Sequence, residues 1–238
     1  MTKCCHMVPR ILAWNLLLLV TCQIAAGQTE EGYVELFNGQ DLNGWKGNPK
    51  LWSVEDGAIV GRTTSEDPIE FNTFLIWNEG TVADFELQLD YRIEDGNSGI
   101  QYRSKVLDDE QFIVGGYQAD IDTTLRYTGI NYEERGRGIL AERGQRVTID
   151  ASGNKHVEQF GDPAELAKHI HSDGWNHYRI VAQGNRLRHF VNDVLMSEVI
   201  DQQAPHASQE GVLALQLHRG PAMVIRFKNI RLKKLAAE

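Results

Sequence analysis

The stretch with the most chemistry in the chain is Gln118-Ala-Asp-Ile-Asp122, where an amide and two carboxylates recur at every second position. In an extended strand, residues two apart share a face, with Cα atoms roughly 6.5–7 Å apart. Gln118, Asp120 and Asp122 therefore stand on one face, opposite Ala119 and Ile121. Two carboxylates so placed can divide acid and base roles, hold a divalent cation between them, or merely repel each other in water. The same alternation sets Ala214, Gln216 and His218 against Leu213, Leu215 and Leu217, and sets Gln101 and Arg103 against Ile100 and Tyr102. Half-buried strands commonly carry a merely solvated polar face. Here Lys is absent, and Gln, Asp, His and Arg orient hydroxyls and move protons, so three such strands side by side would form a polyol site. Downstream, Tyr132-Glu-Glu-Arg-Gly-Arg-Gly-Ile-Leu140 reads as a charged loop displaying Glu133, Glu134, Arg135 and Arg137. Such a rim offers a carboxylate base and a guanidinium to polarise a carbonyl or a leaving oxygen.

The order Gln-x-Asp-x-Asp resembles the Glu-x-Asp-x-Glu strand of retaining β-glucanases built on a concanavalin-like sandwich. Gln118 stands where that strand has its nucleophile, and an amide forms no glycosyl ester, so double displacement loses its attacking group.

The elements that must position these residues are strands. Phe85 to Ile93 alternates cleanly, with Phe85, Leu87, Leu89, Tyr91 and Ile93 on one face. Trp175 to Ala182, Arg186 to Val191, Val194 to Val199 and Val224 to Leu232 read as further strands, with Asn192-Asp193 as a tight hairpin turn between the second and third of these. One short helix is expected at Pro163 to Ile170, capped by Asp162. Of Trp45, Trp52, Trp77 and Trp175, at least three are expected in the core. The 22 glycines lie scattered between short alternating runs. That pattern predicts an all-β chain, two stacked antiparallel sheets in one domain over residues 28–238.

Residues 1–27 read as a secretory leader: Lys3 and Arg10 precede the apolar run Ile11 to Val20, and Ala25-Ala26-Gly27 supplies small residues for cleavage. Export to the periplasm or medium follows. An alternative is a lipoprotein anchored at Cys22, after the degenerate lipobox Leu19-Val20-Thr21. The apolar run is too short to span a bilayer. All three cysteines lie in the first 22 residues, so the rest of the chain has no disulfide or thiolate metal site. With 24 basic against 33 acidic residues and a net charge of −9, the chain is unsuited to nucleic acid.

Several motifs in order extend this reading. Leu36-Phe-Asn-Gly-Gln-Asp-Leu-Asn-Gly-Trp45, Trp52-Ser-Val-Glu-Asp-Gly-Ala-Ile-Val-Gly61, Asn97-Ser-Gly-Ile100, Gly116-Tyr-Gln-Ala-Asp120 and Phe227-Lys-Asn-Ile-Arg231 together resemble the 3-keto-disaccharide hydrolase domain family, from about Val34 to Leu235. The resemblance implies a concanavalin A-like jelly-roll β-sandwich. It also implies cleavage of 3-keto-glycosides by 1,2-elimination, with hydration of the product in some members. On that reading Asp120, Asp122, Glu134 and His218 are the candidate proton carriers, with Arg103 or Arg137 as the electrostatic partner. Gln118, Gln216, Asn97 and Tyr117 would hold substrate, and a divalent metal ion, if used, would sit on Asp120 and Asp122. A sugar 3-oxidoreductase would act as pathway partner. The competing readings are a noncatalytic carbohydrate-binding module of lectin or laminin-G type, and an extracellular assembly protein whose polar face is an interface.

Overall fold

The computed structural model describes residues 1–2 and 32–236; most of the expected leader, Cys22 included, lies outside the described residues. In chain order the first strands are β1 (Tyr33–Glu35), β2 (Trp45–Lys46), β3 (Trp52–Glu55), β4 (Ala58–Thr63), β5 (Thr73–Trp77) and β6 (Phe85–Glu94). The middle of the chain forms β7 (Asn97–Asp108), β8 (Ile113–Asp122), β9 (Asn131–Glu134), β10 (Gly138–Ala141), β11 (Gln145–Ile149) and β12 (Lys155–Gln159). After α1 (Pro163–Ala167) come β13 (Asn176–Gln183), β14 (Arg186–Val191), β15 (Val194–Asp201), β16 (Val212–Leu217) and β17 (Met223–Lys234).

They assemble into two sheets. The ten-stranded sheet runs β12-β11-β15-β14-β13-β6-β17-β4-β3, with β1 also on β17; the seven-stranded sheet runs β10-β9-β8-β7-β16-β5-β2. Every pairing is antiparallel except β11 with β15. The fold is an all-β jelly-roll sandwich. Alternation sends Phe85, Leu87, Leu89 and Tyr91 from one sheet, and Ile100, Ala119, Ile121, Leu213, Leu215 and Leu217 from the other, into one shared apolar cluster. Trp45, Trp52 and Trp77 are buried there too, while Trp175 lies beneath the Lys228 ammonium.

Two local expectations are met in detail. Asp162 accepts from the N–H groups of Ala164 and Glu165 at the start of α1, although the helix stops at Ala167, short of Ile170. Asn192 and Asp193 both take positive φ, as the two-residue turn between β14 and β15 requires.

The expected loop at Tyr132 to Leu140 is a hairpin, with β9 and β10 joined through Arg135-Gly136-Arg137. A second departure lies on β7. Its register shifts between Tyr102 and Lys105, and Arg103 adopts φ 47, so its side chain leaves the face that Gln101 occupies. Such a bulge re-aims side chains that strict alternation assigns.

Deep between the sheets, His189 is fully buried, donating from Nδ1 to the Ile130 carbonyl and accepting the Tyr102 hydroxyl at Nε2, 2.8 Å away. Burial pushes its pKa down to about 4, against a smaller upward pull from the Ile130 bond. The unfolded chain binds that proton near pH 6.5 and the folded chain does not. The His189 contribution to stability is therefore lost as pH falls from about 6.5 to 4, a difference of roughly 3 kcal/mol. Urea midpoints of the wild type and His189→Gln, compared across that interval, measure it; parallel profiles would refute it.

Candidate active site

The face of the seven-stranded sheet turned away from the core carries the polar residues. Across β7 and β8 the register pairs Asn97 with Asp122, Gly99 with Asp120, and Gln101 with Gln118; across β8 and β9 it pairs Gln118 with Tyr132 and Gly116 with Glu134. Partners in register share a face, which gathers Gln101, Gln118, Asp120, Tyr132 and Glu134. On β16, Gln216 joins them opposite Phe74 of β5.

This face is curled and partly roofed. Asn72, just before β5, donates to Glu134 Oε1 at 3.1 Å and accepts the Arg219 N–H at 2.9 Å. Strands β5 and β9 are four steps apart in the sheet order, about 19 Å if the sheet were flat. The bridge therefore requires the sheet to bend towards this face. The tip of the β7–β8 hairpin reaches the start of β5, where Phe112 and Gln111 carbonyls accept from Phe74 N–H and the Thr73 hydroxyl. Beneath it Phe74, Ile76, Val114 and Ala214 form a small second core.

Under this roof the amides bond one another. The Ser104 hydroxyl donates to Gln101 Oε1, Gln101 Nε2 donates to Gln118 Oε1, and Gln118 Nε2 donates to Asp120 Oδ1, each at 2.6 Å. Gln216 Nε2 also donates to Gln118 Oε1, at 3.1 Å. Gly99 makes this possible, because a Cβ there would lie 2.6 Å from the Gln118 side chain. Gln101, Gln118 and Gln216 are at most 2% exposed. Their amides aim Asp120 and are shielded from a ligand, which corrects the substrate-holding role expected of Gln118 and Gln216.

Asp120 is 6% exposed, and among the described residues its Oδ2 receives no hydrogen bond. Burial pushes its pKa up to about 8, opposed by the Gln118 bond and assisted by the charges of Asp122 and Glu134. Near neutrality the group is largely a neutral acid. Glu134 is 9% exposed, with one oxygen held by Asn72. His218 and Asn97 are half-buried on the strand ends that carry this face.

Four expected site residues are committed elsewhere. Asp122 accepts the Thr124 hydroxyl and the N–H groups of Arg126, Tyr127 and Thr128, so both its oxygens hold the 123–128 turn together. Arg103 donates to the carbonyls of Ala83 and Gly184 and to Asp84 at 2.8 Å, at the end of the sandwich. Arg137 spends its guanidinium on Glu133, Asp201 and Gln203. Tyr117, one residue out of phase with Gln118, points into the core and donates to Asp201 at 2.5 Å.

Residues 32–233 match the family described as the 3-keto-alpha-glucoside-1,2-lyase-like domain. The chain belongs to this family. A 3-keto-disaccharide hydrolase from Bacteroides thetaiotaomicron is 34% identical over 80 residues, which is 30% of this chain and 27% of that relative. This chain thus spans about a quarter of the length of the curated relative it matches. Among solved structures, a Parabacteroides distasonis protein provisionally described as a glycosyl hydrolase aligns with TM-score 0.55 at 21% identity, covering 85% of this chain and 99% of that one. The carbohydrate-binding module CBM66 of Bacillus subtilis aligns at 0.52 and 17% (80% and 96% covered). A laminarinase of Rhodothermus marinus aligns at 0.52 and 11% (86% and 96% covered). These likenesses establish the fold.

The cation site expected on Asp120 and Asp122 does not fit the residues present, since both Asp122 oxygens are taken by the 123–128 turn. Among the described residues there is no group of three or more His, Cys, Asp or Glu able to hold a metal ion. Nor is any helix among them long and apolar enough to cross a membrane. Asn72 and Tyr132 belong to the site and were not expected there. Gln101 was legible as the partner of Gln118 by alternation. Asn72 was not, because it arrives from a loop whose path only the curled sheet defines.

Proposed function

We infer that the protein cleaves 3-keto-glycosides by 1,2-elimination. The observation that carries this reading is the desolvated Asp120 carboxyl, with its pKa near 8, on one face with Glu134 and without a nucleophile in the place of Gln118. A ketone at C3 acidifies the C2 proton, so the bond to the aglycone breaks without covalent attack on C1.

Glu134 is assigned as base. It takes the C2 proton, and the C–H electron pair forms the C2–C3 double bond as the ketone becomes an enolate. The enolate electrons then return: the C3 carbonyl re-forms, C1 and C2 become doubly bonded, and the C1–O bond breaks. Neutral Asp120 delivers its proton to the departing oxygen. One proton is taken and one given, and exchange with solvent resets both carboxyls. A general acid matched to the working pH in this way contributes typically about 10²–10⁴-fold. The substrate must come from an oxidoreductase acting at C3 of the sugar, and the leader would bring the enzyme to the periplasm or medium.

The test is product analysis after incubation with a 3-keto-glucoside and, in parallel, the unoxidised glucoside. The aglycone is expected from the keto sugar alone, with an unsaturated keto sugar as co-product or its hydrate. Because Asp120 must be protonated, kcat/KM is expected to fall as pH rises through about 8. Cleavage of the plain glucoside, a trapped glycosyl ester, or binding of the keto sugar without turnover would overturn the reading. The last of these outcomes would instead mark a noncatalytic binding module.

A further inference from the structure

Elimination leaves negative charge on the C3 oxygen, and some donor must face it. The two arginines expected in that role are occupied at other places in the fold. The three buried amides bond one another and Asp120. Tyr132 is different. It pairs with Gln118 across β8 and β9, so its ring stands on the site face. Glu134 lies two residues along the same strand, and Asp120 is the diagonal neighbour of Tyr132 on β8, within about 7–8 Å between Cα atoms. The ring is half-buried, and among the described residues its hydroxyl receives and gives no hydrogen bond. Gly138 leaves room beside it, since a Cβ there would just touch the ring at 3.9 Å.

We propose that the Tyr132 hydroxyl donates a hydrogen bond to the C3 oxygen of the substrate and stabilises the enolate. The proposal rests on the elimination reading given above. The logic is one of supply: the C3 oxygen needs a hydrogen-bond donor near both the base at C2 and the acid at the C1 oxygen, and Tyr132, opposite Gln118, stands between Glu134 and Asp120 on this face. Asn97, the other side chain there with a free amide, stands opposite Asp122 at the far end of the strand pair. Burial raises the phenol's pKa, and the neighbouring charges of Glu134 and Asp120 raise it further. The hydroxyl thus keeps its hydrogen across the working range and remains a donor; no proton leaves it in any step.

The experiment compares the wild-type chain with Tyr132→Phe on a 3-keto-glucoside, following kcat, KM and the exchange of the C2 hydrogen with solvent deuterium. Loss of one such donor typically lowers kcat by about 10²–10³-fold. The expected result is a loss of that size in kcat and an equal slowing of C2 exchange, with KM within about threefold and an unchanged thermal midpoint. The ring itself is retained, so its volume stays filled. Tyr132→Phe with wild-type kcat and exchange sinks this proposal and leaves the elimination reading standing. A wild type that neither eliminates nor exchanges C2 hydrogen removes both. A Phe variant whose melting temperature falls in step with its activity shows a packing role and also sinks it.

Discussion

Replacing Asp120 with Asn lowers turnover of a 3-keto-glucoside by about 10²–10⁴-fold, and the same change makes the protein harder to unfold at pH 8. Both effects come from one cause. The carboxyl is buried beside Gln118 with a pKa near 8, whereas in the unfolded chain an aspartyl group titrates near 3.9. Between those values the unfolded state has shed the proton and the folded state has kept it. Stability therefore falls as pH rises through that window, by on the order of 4 kcal/mol by pH 7, and levels off above about 8. An Asn carbonyl still accepts from Gln118 but carries no titrating charge, so the variant escapes the loss. Urea unfolding at pH 4 and pH 8, with turnover at pH 7, checks it. Equal stability gains at both pH values, or an active variant, would contradict the assignment. His189 acts with the opposite sign between about pH 4 and 6.5. The wild type is expected to be nearly flat there, and each variant uncovers the slope of the other group.

Alternation made most of the sandwich legible. Phe85 to Ile93, Arg186 to Val191 and the Asn192-Asp193 turn stand where their residue types put them, because each depends only on neighbours in sequence. The shared face of Gln118 and Asp120 was legible for the same reason. What alternation could not carry was any interruption of the pleat. The shift after Tyr102 moves Arg103 out of the site, and no residue type there announces it. Asp122 has the right parity and still belongs to a turn, because the strand ends on it and the 123–128 backbone needs an acceptor. The charged run from Tyr132 to Leu140 looked like a rim. It folds as a hairpin because Glu133 and Arg137 face inward to Asp201, a partner 64 residues further on that only the packed sheets bring near.

That last cluster is where a single substitution should harm the fold most. All five guanidinium hydrogens of Arg137 are taken: Nε by Glu133, the rest by Glu133, Asp201 and Gln203. Asp201 is 1% exposed. Burial alone would lift its pKa, but the bonds from Arg137 and Tyr117 outweigh that and hold it below the usual carboxylate range. Arg137→Met keeps much of the stem's volume and removes every donor, leaving two largely buried carboxylates facing each other. Breaking a buried pair from one side costs about 3–5 kcal/mol. The loss should shrink as pH falls and the stranded carboxylates take up protons, because the folded pKa of Asp201 then rises above its unfolded value. KM for a 3-keto-glucoside, measured well below the variant's melting temperature, should stay within about twofold of wild type, since Arg137 has no donor left for a ligand. A variant of wild-type stability with a raised KM would return Arg137 to the substrate and make Asp201 a secondary contact.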